Sequence, residues 1–114
     1  MDDCLFCKIV EKQIPAEIVY ENDKVLAFKD IDPQAPVHIL IIPKEHVTTL
    51  NDVKEEHTEV MGQILLAAKS LAKEFGIDEK GYRTVFNCNK EGGQAVYHIH
   101  LHLIGGRQMS WPPG

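Results

Sequence analysis

Alternation with a period of two dominates the last third of the chain. His98, His100 and His102 interleave with Ile99, Leu101 and Leu103, and Ile104 follows. Successive side chains of a β-strand point to opposite faces, so the spacing predicts a strand over 96–104. Its three imidazoles share one face while the apolar residues enter a core on the other. Shorter apolar runs bounded by turn residues predict strands at 18–20, 25–28, 37–42 and 82–87. Asn22-Asp23, the prolines Pro33 and Pro36, Pro43, Gly92-Gly93 and Gly105-Gly106 punctuate them. A helical period takes over between the third and fourth strands. Met61, Ile64, Leu65, Ala68, Leu71, Ala72 and Phe75 recur at helical spacing, Asp52 with Glu55 suggests the N-terminal capping box, and Gly76 the stop. A short helix is expected over 5–13, with Phe6, Ile9 and Val10 on one side and Pro15 ending it. His57 reads as a solvated residue of the long helix. Short strands at hairpin spacing, interrupted by one long helix, predict an α+β fold: an antiparallel sheet with helices on one face.

Length and charge narrow the function classes. A chain of 114 residues suits a single domain, 1–114, with one core. Its net charge of −5 argues against a polynucleotide partner, which usually needs a basic stripe. No apolar run approaches the roughly 20 residues of a membrane span. The acidic start, Met1-Asp2-Asp3-Cys4, lacks the basic and apolar regions of a signal peptide, and three cysteines are an odd count for a disulfide framework. A cytoplasmic location is expected.

Imidazoles titrate near neutrality, so a row of them suits nucleophilic attack, proton relay or metal ligation. A neutral imidazole attacking phosphorus needs its far nitrogen held as a donor by a fixed acceptor, which a rigid strand can provide. The Gly92-Gly93 loop would let backbone N–H groups approach phosphate oxygens. Cys4-Leu5-Phe6-Cys7 has the spacing of half a zinc site, the other reading being two reduced thiols on a short helix. Cys88 has no partner nearby in sequence and reads as a small strand-end residue.

The heptad His98–Ile104 resembles the His-φ-His-φ-His-φ-φ signature (φ apolar) of the histidine triad family of nucleotide hydrolases and transferases. Asp30-Ile31-Asp32-Pro33-Gln34-Ala35-Pro36 with His38, then Ile42-Pro43-Lys44, resemble its nucleotide-binding (Hint) branch. So do Gly92-Gly93-Gln94-Ala95-Val96-Tyr97, Gly105-Gly106-Arg107-Gln108-Met109 and the ending Trp111-Pro112-Pro113-Gly114. The resemblance covers nearly the whole chain. It implies a five-stranded antiparallel sheet continued across a homodimer, and hydrolysis of purine nucleoside 5′-phosphoramidates to a nucleoside monophosphate and an amine.

Carried over residue by residue, the resemblance makes His100 the nucleophile, flanked by His98, with His102 and His38 as the relay behind the nucleotide. Phe6, Ile9, Ile14, Phe28, Asp30 and Ile31 fall where the family forms its base pocket and ribose contact. Asn87, Gly93, Gln94, Ala95 and Val96 fall along the phosphate and ribose, and the chemical step uses no cofactor. Many bacterial members carry the Cys-x-x-Cys and complete a structural zinc site with residues corresponding to His46 and His98. The chain departs from the eukaryotic members at Ala95, where they place a serine whose hydroxyl serves the leaving amine. Here His98 or water must donate that proton. Two other readings of the row remain: a metallohydrolase with His98, His100 and His102 as ligands, and a nucleotide sensor without useful turnover.

Overall fold

The computed structural model describes residues 3–114, so the chain start at Met1-Asp2 lies outside the described residues. Its elements are α1 (Leu5–Val10), β1 (Ile18–Glu21), β2 (Val25–Lys29), β3 (Val37–Pro43), α2 (Thr58–Glu74), β4 (Tyr82–Phe86), α3 (Asn89–Gly92) and β5 (Leu101–Gly105), with 3₁₀ turns at Leu50–Asp52 and Glu55–His57. The strands form one antiparallel sheet in the order β1-β2-β3-β5-β4. This is the α+β architecture expected from the sequence, except that the helices cover both faces, α2 one and α1 the other, rather than one.

Strand parity splits the apolar side chains into two layers. Val25, Ala27, Ile39, Ile41, Leu101 and Leu103 face α2 and pack against Ile64, Ala67, Ala68, Leu71 and Ala72. Leu26, Phe28, Leu40 and Ile42 face the other way and are covered by Phe6 and Ile9 of α1. The central strands are therefore apolar on both faces, as buried strands must be. The layer under α1 also receives His38 and His102, because His38 pairs with Ile104 and Leu40 with His102.

Several elements depart from the sequence expectation. The first helix stops at Val10 rather than Gln13, and Lys12 turns the chain with a φ of 61° well before Pro15. Asp52 is not an N-cap: it closes a box with Thr49 around the first 3₁₀ turn, and α2 begins only at Thr58. His57 is not solvated. It is 8% exposed, its Nδ1 accepts the Lys54 N–H (2.9 Å), and its Nε2 lies 3.2 Å from a Glu45 carboxylate oxygen. On α2, Leu65 faces outward and Ala67 takes the inner position. Part of the glycine loop coils into α3, ended by Gly93 at a φ of 85°, a conformation favouring glycine.

The fifth strand starts at Leu101, not Val96, and the reason lies across the ladder. Ile41 pairs with Leu101, and two steps further the register would set Pro43 opposite Ile99. Proline has no N–H to give a ladder. The segment carrying His98 and His100 therefore leaves the sheet, and the Ile99 N–H bonds instead to the Val47 carbonyl (2.7 Å).

Candidate active site and metal centre

Although only His102 lies in the regular strand, the imidazoles still line the α1 side. His100 and His102 have ring centroids 4.9 Å apart, and the Phe6 ring stands edge-on to His100 at 5.0 Å and to His98 at 6.0 Å. His98 is fully buried and His100 nearly so. Burial pushes His98 and His102 down to about 4 and lowers His100 as well, so all three are neutral at neutral pH.

A neutral imidazole carries one N–H, so each hydrogen bond assigns a lone pair elsewhere on the ring. The His100 Nδ1–H donates to the His98 carbonyl at 2.8 Å, which leaves its Nε2 with a free lone pair. The Gln34 N–H donates to His38 Nδ1 (3.0 Å), so the His38 proton sits on Nε2, 2.9 Å from His102 Nδ1. His102 must then carry its proton on Nε2. A directed chain thus runs from the Gln34 backbone through two rings, with the Asp30 carboxylate 3.5 Å from His38 Nε2.

Asp30, His38 and His102 have donor atoms close enough together to suggest a cation site. The tautomers oppose it: His38 Nε2 holds the ring's proton because Nδ1 already accepts a backbone N–H. Nor do the three triad rings converge on one point, since His98 turns toward the cysteines and His100 Nδ1 toward a carbonyl. The arrangement disfavours the catalytic metallohydrolase reading.

Cys4, Cys7, His46 and His98 form a second cluster whose ligand atoms all lie within 4.8 Å of one another. His98 Nδ1 is 3.3 Å from Cys4 Sγ and 3.4 Å from Cys7 Sγ, and His46 Nδ1 is 3.3 Å from Cys7 Sγ. Tetrahedral zinc separates sulfur and nitrogen ligands by about 3.5 Å, given its usual bond lengths. The outer nitrogens also fit. His98 Nε2–H donates to the Pro43 carbonyl (2.8 Å), which leaves its Nδ1 lone pair pointing inward, and His46 Nε2 lies 3.3 Å from the Thr48 hydroxyl, which can accept its N–H. Burial and the adjacent Cys4 thiol push the Cys7 thiol up to about 11, so thiolate at this spot calls for a cation.

The remaining expected site residues fall around the triad. Phe6, Ile9, Phe28, Ile14 and Val96 belong to one apolar cluster beside His100. Asp30 is half-buried and Ile31 wholly exposed, while Asn87 is half-buried and Gly93 and Ala95 exposed on the loop. Gln94 is buried, and its amide is fully engaged internally: Oε1 accepts the Asn89 N–H, and Nε2 donates to the Thr48 and Val96 carbonyls. Its backbone N–H is engaged too, donating to the Asn89 carbonyl (3.1 Å). A cleft of about 670 Å³ opens beside the cysteines, lined by His46, Thr48, Ala95, Val96 and Tyr97 among others. The sequence carried no signal for the backbone groups of Gln34, Pro43 and His98, which fix the tautomers.

A model of the HIT domain family matches residues 11–109. The chain is 56% identical over 114 residues to a 14 kDa zinc-binding protein of Brassica juncea, covering 98% of this chain and all of that one. It is 50% identical over 108 residues to a purine nucleoside phosphoramidase of Escherichia coli K12, covering 95% and 91%. A crystal structure of a HIT family hydrolase from Legionella pneumophila superposes with a TM-score of 0.97 at 60% identity, covering 98% of this chain and all of that one. The chain belongs to the HIT domain family and is one of its hydrolases.

Proposed function

We propose that the chain hydrolyses purine nucleoside 5′-phosphoramidates through a covalent nucleotidyl intermediate on His100. The observation that carries this reading is the His100 Nδ1–H bond to the His98 carbonyl. It leaves a neutral nucleophile with its Nε2 lone pair free. In the first step that lone pair forms a bond to the α-phosphorus, and the P–N bond breaks with its electron pair on the amine nitrogen. In the second step water attacks phosphorus, the N–P bond to His100 breaks, and the ring is restored. The His102 Nε2–H, held in place through His38 and Gln34, faces the developing charge on a phosphate oxygen. Phe6, Ile9, Ile14, Phe28 and Ile31 receive the base, and Asp30 the ribose hydroxyls. The backbone N–H groups of Ala95 and Val96, with Asn87, receive the phosphate, since those of Gly93 and Gln94 already donate to the Lys90 and Asn89 carbonyls.

The leaving amine needs a proton. Both His98 nitrogens face other partners, Pro43 on one side and the cysteines on the other, so His98 is not placed to supply it. Water is then the remaining donor. Cys4, Cys7, His46 and His98 would hold a structural zinc ion, which stabilises the fold and takes no part in bond breaking. A homodimer built on the β4 edge is supported by the exposed Tyr82 side chain on that edge strand.

Multiple-turnover assay of an adenosine 5′-phosphoramidate tests the proposal. Nucleoside monophosphate should accumulate well beyond one equivalent per chain, without added metal. Release of one equivalent or less would make the chain a nucleotide sensor instead.

A further inference from the structure

We propose that the Cys4-Cys7-His46-His98 centre, beyond stabilising the fold, holds the nucleophile in its reactive tautomer. This rests on the reading of His100 as nucleophile and of the four ligands as a zinc site. Residue 98 joins the two: its Nδ1 faces the cysteine sulfurs, and its carbonyl accepts the His100 Nδ1–H at 2.8 Å. The sheet does not hold that carbonyl, because the β3–β5 ladder ends at the Ile41–Leu101 pair. Three links fix the 98–99 segment instead. One is the His98 ring bond to Pro43, the second is the Ile99 N–H bond to Val47, and the third is the ligand cluster. Val47 adjoins the ligand His46, so a metal ion would clamp both sides of the gap that Pro43 opens.

A metal-free cluster would link these residues only through thiol–imidazole contacts. Thiols are weak donors, and such contacts impose little direction. Coordination bonds would fix the His98 ring and, through its short side chain, the plane of the following peptide. An acceptor that wanders lets His100 place its proton on either nitrogen, and the tautomer with Nε2–H has no lone pair to offer phosphorus. Phe28 and Asp30 lie on β2 and its end, away from this clamp, but Phe6 and Ile9 of the base pocket share α1 with the ligand Cys7. Loss of the metal should therefore act on both turnover and binding, and the His100 tautomer separates the two effects.

The discriminating variant is His46→Ala, which removes the ligand outside both α1 and the triad. Two-bond ¹H–¹⁵N correlation of labelled histidine rings reads the tautomer without reference to activity. Zinc-loaded wild type should show His100 as a single Nδ1–H tautomer. The metal-free variant, held well below its melting temperature, should show a mixture. Its kcat for an adenosine phosphoramidate should fall about 10–100-fold, the usual effect of disturbing an orienting shell. An unchanged tautomer and kcat in the metal-free variant would overturn the proposal and leave zinc a purely stabilising ion. Wild type refolded with zinc but holding well under one equivalent would overturn both this proposal and the zinc reading. If His46→Ala does not fold, wild type stripped by a chelator and held well below its melting temperature replaces it, and a tautomer mixture with reduced kcat is expected. A His100 tautomer and kcat unchanged in the stripped protein would equally overturn the proposal.

Discussion

His38→Phe tests the directed hydrogen-bond chain by removing its middle. His38 is 7% exposed and serves two partners: Nδ1 accepts the Gln34 N–H, and Nε2–H donates to His102 Nδ1. A phenyl ring fills similar space and satisfies neither. An orphaned buried polar group loses about 1–3 kcal/mol, so two would give roughly 2–6 kcal/mol. Gln34 is exposed and can turn its N–H to water, and His102 is only half-buried. The expected destabilisation is therefore at the low end, about 2–3 kcal/mol, read from urea denaturation at fixed protein concentration. Activity should suffer separately. Freed of its donor, His102 can put its proton on Nδ1, and kcat should fall about 10–100-fold. His102→Phe combined with His38→Phe should be less than additive, since the first lesion already breaks the contact. Full additivity, or a His38→Phe chain with wild-type stability and kcat, would refute the reasoning.

Acid should unfold the chain in a definite window. Burial, with His100 and His38 nearby, holds His102 at about 4, against about 6.5 for an unfolded histidine, and the Asp30 carboxylate only partly counters this. The unfolded chain thus binds more protons between those values, so stability should be flat above about pH 6.5 and decline toward pH 4. A denaturation series showing no decline there would contradict it. Cys4→Ser should lower zinc content from about one equivalent per chain and lower the melting temperature, measured by metal analysis and calorimetry on protein refolded with zinc. Ala95→Ser should flatten the dependence of kcat/KM on leaving-amine pKa, because general acid help is worth about 10²–10⁴-fold and matters most for basic amines. Equal slopes for both proteins would show that the hydroxyl is dispensable.

The period-two row was the strongest sequence signal, and it survives because parity persists even where the ladder does not. Leu101 and Leu103 enter the α2 core while His100 and His102 face α1. Cys4-x-x-Cys7 was legible as half a metal site, and the family resemblance supplied His46 and His98 as the other half. What stayed hidden depended on contacts between distant backbone groups. The start of β5 is not visible in the local sequence because Pro43, 55 positions before His98, ends the ladder and lends its carbonyl to the His98 ring. His57 looked exposed from its charged neighbours, yet it folds back onto Lys54 and Glu45. Gln94 stands among the expected nucleotide contacts, and its neighbours in sequence carry no sign that its side chain ties the glycine loop to Thr48. Local composition cannot foresee such pairings.

Rapid-quench mass spectrometry during turnover of an adenosine phosphoramidate tests the central claim most directly. A nucleotidyl adduct on His100 should form and decay at rates consistent with kcat. His100→Ala should form none, while still folding, binding the monophosphate and losing several orders of magnitude in turnover. An adduct trapped on any other residue, or undiminished hydrolysis by His100→Ala, would contradict the account.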